Sequence, residues 1–396
     1  MIELLLQDIL LFCLSPMLDD KGNYHLFTMN TYVYSLASRI KLKSQYDFEN
    51  IQYTSFIASS VAFDDIMELY NLKINIRNKI ETLIILGGKF NIPFEDILPS
   101  NLHTLILPNK CEQHVDKLPI TLHTLIFGWN FIHSVDHLPF NLHTLEFGYT
   151  FNRCIDHLPD NLHTLILGTE FNQPIDHLPI NLHTLILKWF FNQPINNLPS
   201  NLHTLKLDYE FNQPIDHLPL NLHTLKLDGL FNHSIDKLPT NLHTLHLAGE
   251  INISLDKLPV NLHTLKLDGL INNSMDKLPI NLHTLYLGCL FNQPIDHLPI
   301  NLHTLKLGGE FRQSLDNLPM NLHTLEMRFY TKYLPNNLPT NLHTLILGKW
   351  FDCPIEHLPT NLHLLYVEEN FDQSTIKNIP PNLRIYPENK LPYFYL

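Results

Sequence analysis

A strict twenty-residue period constrains this chain more than any other feature. One copy runs from Asn181 to Ser200, NLHTLILKWFFNQPINNLPS, and the pattern recurs from Asn101 to about Asn370. A longer copy precedes it at 79–100, and a degraded one follows from Phe371 to Leu383. A twenty-residue unit cannot bury its own apolar face, so successive units must stack and share one core. The 396 residues therefore need not divide into globular domains. With 44% hydrophobic and 16% charged residues, the chain reads as folded and not as disordered.

Within one copy, Leu185 and Leu187 alternate with polar or outward positions. Period two predicts a short strand with those leucines facing in. The other half, FNQPINNLP, holds two prolines in nine residues. Proline breaks helix interiors, so this return arm is expected to be extended or a single 3₁₀ turn. The expected fold is a repeat solenoid, a parallel β-sheet of about fifteen twenty-residue coils with little helix on the return side. The Leu102, Leu105 and Leu107 columns form its core, closed by Phe131, Phe151, Phe171, Phe191 and Phe211 with Ile155, Ile175 and Ile195. Asn152, Asn172, Asn192 and Asn212 should bond backbone groups that the turn leaves unpaired.

The solenoid spans 78–370, and 371–396 reads as a last degenerate repeat and C-terminal cap. Ahead of it, 2–14 and 24–40 carry apolar residues at helical spacing, predicting a small α-helical N-terminal segment. Residues 46–77 read as linker or N-terminal cap, with a short helix over Phe63–Tyr70. The opening apolar stretch contains Glu3 and Asp8 and no preceding basic residue, which fits a secretion signal poorly. No later run reaches the ~18 apolar residues of a membrane span. A formal charge of −13 argues against a nucleic-acid surface. Five cysteines, without any CxxC, read as free thiols of a reducing compartment. The expectation is an intracellular protein with neither membrane nor nucleic acid as partner.

Phe90-Asn91-Ile92-Pro93, with FNQP at 171–174, 191–194, 211–214 and 291–294, resembles the FNIP repeat, itself leucine-rich-repeat-like. FNIP arrays of social amoebae and amoeba-infecting giant viruses commonly follow an F-box. Leu5-Leu6-Gln7-Asp8-Ile9-Leu10 resembles the opening of that motif, and Leu26, Met29, Tyr34 and Leu36 fit its second apolar block. The family's proline is replaced by Leu6, and its Trp or Phe is at best Val33 or Tyr34. The resemblance implies an F-box at 1–45 docking a Skp1-like subunit of a cullin-type ubiquitin ligase through Leu5, Ile9, Leu10, Leu26, Met29 and Leu36. It also implies residence in the host-cell cytoplasm. The alternative is an N-terminal cap on a free-standing binding scaffold.

Three repeated columns suggest chemistry and have plainer explanations. Fourteen histidines, His103 to His363, form a file. Tetrahedral zinc needs a closed ligand set, which a uniform ladder does not define. A hydrogen-bonded spine, paired with Asp156, Asp176 or Asp216, is the expected role. Stacked like charges would repel, so these histidines are expected to stay neutral in the fold. The threonines from Thr104 to Thr344 suit strand packing better than ice binding. Asp-His pairs such as Asp176-His177 recur without a singular nucleophile, so no catalysis and no cofactor are expected. Short-repeat bacterial ubiquitin ligases carry a separate catalytic-cysteine domain, for which no counterpart is read here.

A partner must then be read where the columns vary. The outward strand column runs Ile106, Ile126, Glu146, Ile166, Ile186, Lys206, Lys226, His246, Lys266, Tyr286, Lys306, Glu326, Ile346, Tyr366. Aromatic residues anchor interfaces. Trp129, Tyr149, Trp189, Tyr209, Tyr286, Phe329 and Trp350, on the concave sheet face and its rim, are the expected contacts with an unknown target protein. The pairs Lys206/Asp208, Lys226/Asp228 and Lys266/Asp268 read as a neutralising surface lattice rather than a docking site. The functional expectation is a non-catalytic adaptor that recruits a target for ubiquitin transfer.

Overall fold

The computed structural model describes residues 60–63, 69–71, 77–78, 80–87, 93–250, 253–270, 272–328, 334–335, 337–348, 351 and 354–387. The F-box expectation at 1–45, the contacts Phe329 and Trp350, and residues 388–396 lie outside the described residues. Two compact units divide the chain: Met1–Gln173 with His177–Leu182, and Pro174–Asp176 with His183–Leu396.

In the first unit, β1 (Ser60–Phe63), β2 (Thr82–Ile85), β3 (Thr104–Ile106), β4 (Thr124–Ile126), β5 (Thr144–Glu146) and β6 (Thr164–Leu167) pair in parallel in chain order. Phe63 closes a strand, Leu69 and Tyr70 at the end of the expected helix are helical, and residues 64–68 lie outside the described residues. SVAF gives β2 a parallel partner inside the 46–77 span. A four-residue helix, α1 (Phe94–Ile97), buries Phe94 and Ile97 on the return side of its coil.

In the second unit, eleven strands from β7 (Thr184–Leu187) to β17 (Arg384–Pro387) stack in the same way. The register is one coil per strand: Thr204 faces Thr224 and Thr224 faces Thr244. Both units are thus solenoids of short parallel strands with prolines in their return arms, and a 3₁₀ turn appears at Gln373–Thr375.

The repeated letters explain each coil. In Pro-x-Asn-Leu the proline carbonyl accepts the leucine N–H, as from Leu222 to Pro219 at 3.1 Å, which closes a tight turn. The histidine carbonyl that follows accepts two N–H groups from the next coil, those of His223 and Thr224 on His203, both at 2.9 Å. The Leu102, Leu105 and Leu107 columns are fully buried wherever they are described as leucine. Phe191, Phe211 and Phe231 close the second unit's core with rings 6.2 Å apart and within 4° of parallel. The asparagine ladder forms as its position requires: the Asn212 N–H donates to Asn192 Oδ1 at 2.9 Å, and the Asn232 N–H to Asn212 Oδ1 at 3.0 Å. Side chains thereby satisfy backbone donors in an arm that has no ladder of its own.

Candidate partner-binding surface

The histidine file is a spine, held otherwise than the sequence suggests. Nδ1 atoms such as those of His143 and His263 face the carbonyl two residues earlier, on Asn141 and Asn261 at 2.7 Å, whereas His343 Nδ1 faces the Thr344 hydroxyl at 3.2 Å. A carbonyl only accepts, so the proton sits on Nδ1. Rings of successive coils stack, 5.1 Å apart for His203 and His223 and 5.0 Å for His223 and His243. The corner aspartates are not their partners, which corrects the expected pairing. The nearest acceptor lies in the ring's own turn, while the aspartates bond the next coil's corner residue. His177 reaches Asp156 at 3.4 Å, His297 reaches Asp276 at 3.1 Å, and Lys257 reaches Asp236 at 2.7 Å. The Cys154 thiol and then His177 lower the Asp156 pKa; the Ser274 hydroxyl and then His297 lower that of Asp276. These exposed pairs contribute little to stability. In the file itself, burial and then the neighbouring His323 and His363 hold the His343 pKa below the ordinary histidine value.

Nothing in these ladders singles out a reacting centre. The Asp-His pairs repeat from coil to coil, and no cluster of three or more metal-ligating side chains occurs among the described residues. No helix among them is long and apolar enough to cross a membrane.

The outward strand column is less open than its alternation implies. Ile106, Glu146 and Ile166 are buried in the first unit, and Ile186, Glu326, Ile346 and Tyr366 in the second. Tyr286 is half-buried, with the Lys266 and Lys306 ammonium groups 5.0 and 4.8 Å from its ring centre. Lys306 Nζ lies 3.0 Å from Glu326 Oε2, and Arg328 Nε bonds Glu326 Oε1. The first contact lacks hydrogen-bond alignment, so it is an electrostatic one. Burial lowers the Lys306 pKa despite the Glu326 carboxylate. The lysine–aspartate pairs form the expected lattice only in part: Lys226 meets Asp228 of its own coil at 3.3 Å, and His246 donates to Asp268 at 2.8 Å. The His246 hydrogen bond lowers the Asp268 pKa, whereas burial raises that of Asp208. This face is an internally paired polar network in the second unit. It is not a free aromatic platform.

The loops after the strands differ. Trp129 and Tyr149 are exposed in the first unit, and Trp189, Phe190 and Tyr209 in the second. Their backbones form an inter-coil ladder, with Thr150 N–H on the Trp129 carbonyl and Glu210 N–H on the Trp189 carbonyl at 2.8 Å. The Trp189 and Tyr209 rings lie 5.6 Å apart. Trp189 also has φ 30°, in the left-handed region. Two, three and four coils later the same place is held by Gly229, Gly249 and Gly269, with φ 75°, 92° and 83°. A bulky side chain thus stands where the coil accommodates glycine, and strain of this kind clusters at functional sites.

Residues 134–170, 151–190, 191–229 and 291–330 match the model of the FNIP Repeat family. Those stretches are FNIP repeats. No curated protein sequence matches the chain. Among solved structures, a chain of the Drosophila Toll–Spatzle complex aligns at 15% identity and TM-score 0.55. The alignment covers 83% of this chain and 56% of that one. YopM of Yersinia enterocolitica aligns at 24% identity and TM-score 0.46, covering 79% of this chain and 74% of that one. YopM of Yersinia pestis, a leucine-rich effector, aligns at 18% identity and TM-score 0.38, covering 77% and 83%. The likeness to the Toll–Spatzle chain is one of fold.

Proposed function

We propose that the chain is a non-catalytic, protein-binding adaptor whose solenoid captures a target through the exposed aromatic residues of its post-strand loops. The observation that carries this reading is Trp189: a large side chain held at positive φ, half exposed, beside Tyr209 on a hydrogen-bonded platform. Rigid exposed aromatics contribute binding area at low entropic cost. Trp129 and Tyr149 offer the same chemistry in the first unit. The Toll–Spatzle likeness is that of a chain solved in a protein complex, which accords with a scaffold role.

The finer proposal assigns residues 1–45 to an F-box. Leu5, Ile9, Leu10, Leu26, Met29 and Leu36 would dock a Skp1-like subunit of a cullin-type ubiquitin ligase in the cytoplasm of a host cell. The bound target would then be presented for ubiquitin transfer. Support comes from the apolar order of those residues and from the FNIP repeats that follow. Co-purification of a Skp1-like subunit with the full chain, lost on deleting 1–45 while the solenoid still melts cooperatively, is the expected result. Retention of that subunit by the deleted chain would overturn the assignment. Failure of the full chain to retain it would leave a free-standing binding scaffold as the function.

A further inference from the structure

Each coil is closed by the Pro-x-Asn-Leu turn, and x stands at its tip. Exposed turn tips favour polar residues. In the second unit four consecutive tips are apolar: Val260, Ile280, Ile300 and Met320 are 56%, 55%, 60% and 55% exposed. Thr240 and Thr340 bound the run. The backbone beneath is fixed, because the Asn281, Asn301 and Asn321 side chains donate to the carbonyls of Val260, Ile280 and Ile300 at 3.1, 3.1 and 3.0 Å. The pitch follows the one-coil strand register, and beside the tips the His263 and His283 rings, bonded to the Asn261 and Asn281 carbonyls, lie 5.1 Å apart. The result is a pre-organised apolar stripe on the order of 400 Å², comparable to the largest apolar patch of a monomer, which is often functional.

We propose that this stripe is a self-association surface, on which a second copy of the chain packs the same stripe in antiparallel sense, Ile280 against Ile300 of the other copy. Three features select that occupant. A row repeating every coil is matched, without accumulating mismatch, by another row of the same pitch. Two stripes together remove roughly 800 Å² of apolar surface, the small interface of a weak dimer rather than the ~1,200 Å² or more of a stable one. The threonine ends fix the register, since a slip of one coil sets a hydroxyl against an aliphatic side chain. The contact is therefore isologous and closes as a dimer. Among the described residues, the rim lysines Lys257 and Lys277 are bonded to Asp236 and Asp256 at 2.7 and 2.8 Å, so their charges are compensated.

The test is sedimentation equilibrium of the full chain from about 1 to about 100 µM. A concentration-dependent dimer is expected, weakened at least about 100-fold by Ile280→Asp with Ile300→Asp. Asp160 holds the same place in another coil, so the pair should fold. Ile280→Thr with Ile300→Thr, copying Thr240 and Thr340, is expected to weaken the dimer about 10-fold and keeps the readout if the aspartates disturb folding. A monomer throughout that range, or a dimer with an unchanged constant in the folded variants, overturns the proposal.

Discussion

Trp189 allows the strain and the display of a side chain to be separated. Its φ of 30° is costly for any residue with a Cβ and free for glycine. Replacing Trp189 by Ala or by Gly removes the same indole and the same contact with Tyr209. The two variants differ only in the Cβ, so their difference isolates the backbone term. Left-handed backbone costs an L-residue about 1–2 kcal/mol, partly offset by the ~0.5–1 kcal/mol of extra chain entropy that glycine loses on folding. Trp189→Gly should therefore match or exceed Trp189→Ala in stability, by up to about 1.5 kcal/mol. Tyr209, one coil on, is not among the positive-φ residues. There the order should reverse, with Tyr209→Gly less stable than Tyr209→Ala by about 0.5–1 kcal/mol. Urea unfolding of the four variants, followed by circular dichroism with slopes compared, measures both differences. Glycine less stable than alanine by the same amount at both positions would refute the claim that Trp189 is held against local preference.

Further outcomes follow from the spine and the buried network. Phe211, buried between Phe191 and Phe231, should lose about 3–5 kcal/mol on change to Ala, with hydrogen exchange rising most in its own and adjacent coils. Glu326→Ala should cost about 2–3 kcal/mol by removing the carboxylate beside the half-buried Lys306 ammonium, and Lys306→Met with Glu326→Met should recover most of it in urea titrations. For His343 the folded pKa lies below the unfolded value of about 6.5, so the unfolded chain takes up the proton first. Its contribution is complete above that value and lost as pH falls through it toward the folded pKa. His343→Gln should accordingly flatten the decline in melting temperature between about pH 7.5 and about pH 5.

The core was legible because burial follows period. Leu102, Leu105, Leu107 and Phe131 recur every twenty residues, and a column that repeats can only stack on itself. The asparagine ladder was legible for the same reason. Direction within a turn was not, since spacing does not say which of two nearby acceptors a ring will choose. His143 therefore bonds the Asn141 carbonyl, and the neighbouring corner histidines take the aspartates. Alternation also tells a side from its opposite without telling how open that side is, which is how Ile346 and Glu326 come to be buried in an outward column. The strain at Trp189 left one trace, the glycines at 229, 249 and 269 in the same place. The apolar tips at 260, 280, 300 and 320 were visible as letters, but only their exposure gives them weight.

The central claim is that repeated letters build the solenoid while varied aromatic letters capture a partner. Its most direct test is quantitative capture from a eukaryotic cell lysate on the native chain and on the chain carrying Trp129→Ala, Trp189→Ala and Tyr209→Ala. A set of proteins lost from the variant, with its melting temperature within a few degrees of native, is the predicted result. An unchanged captured set on the folded variant would contradict the account.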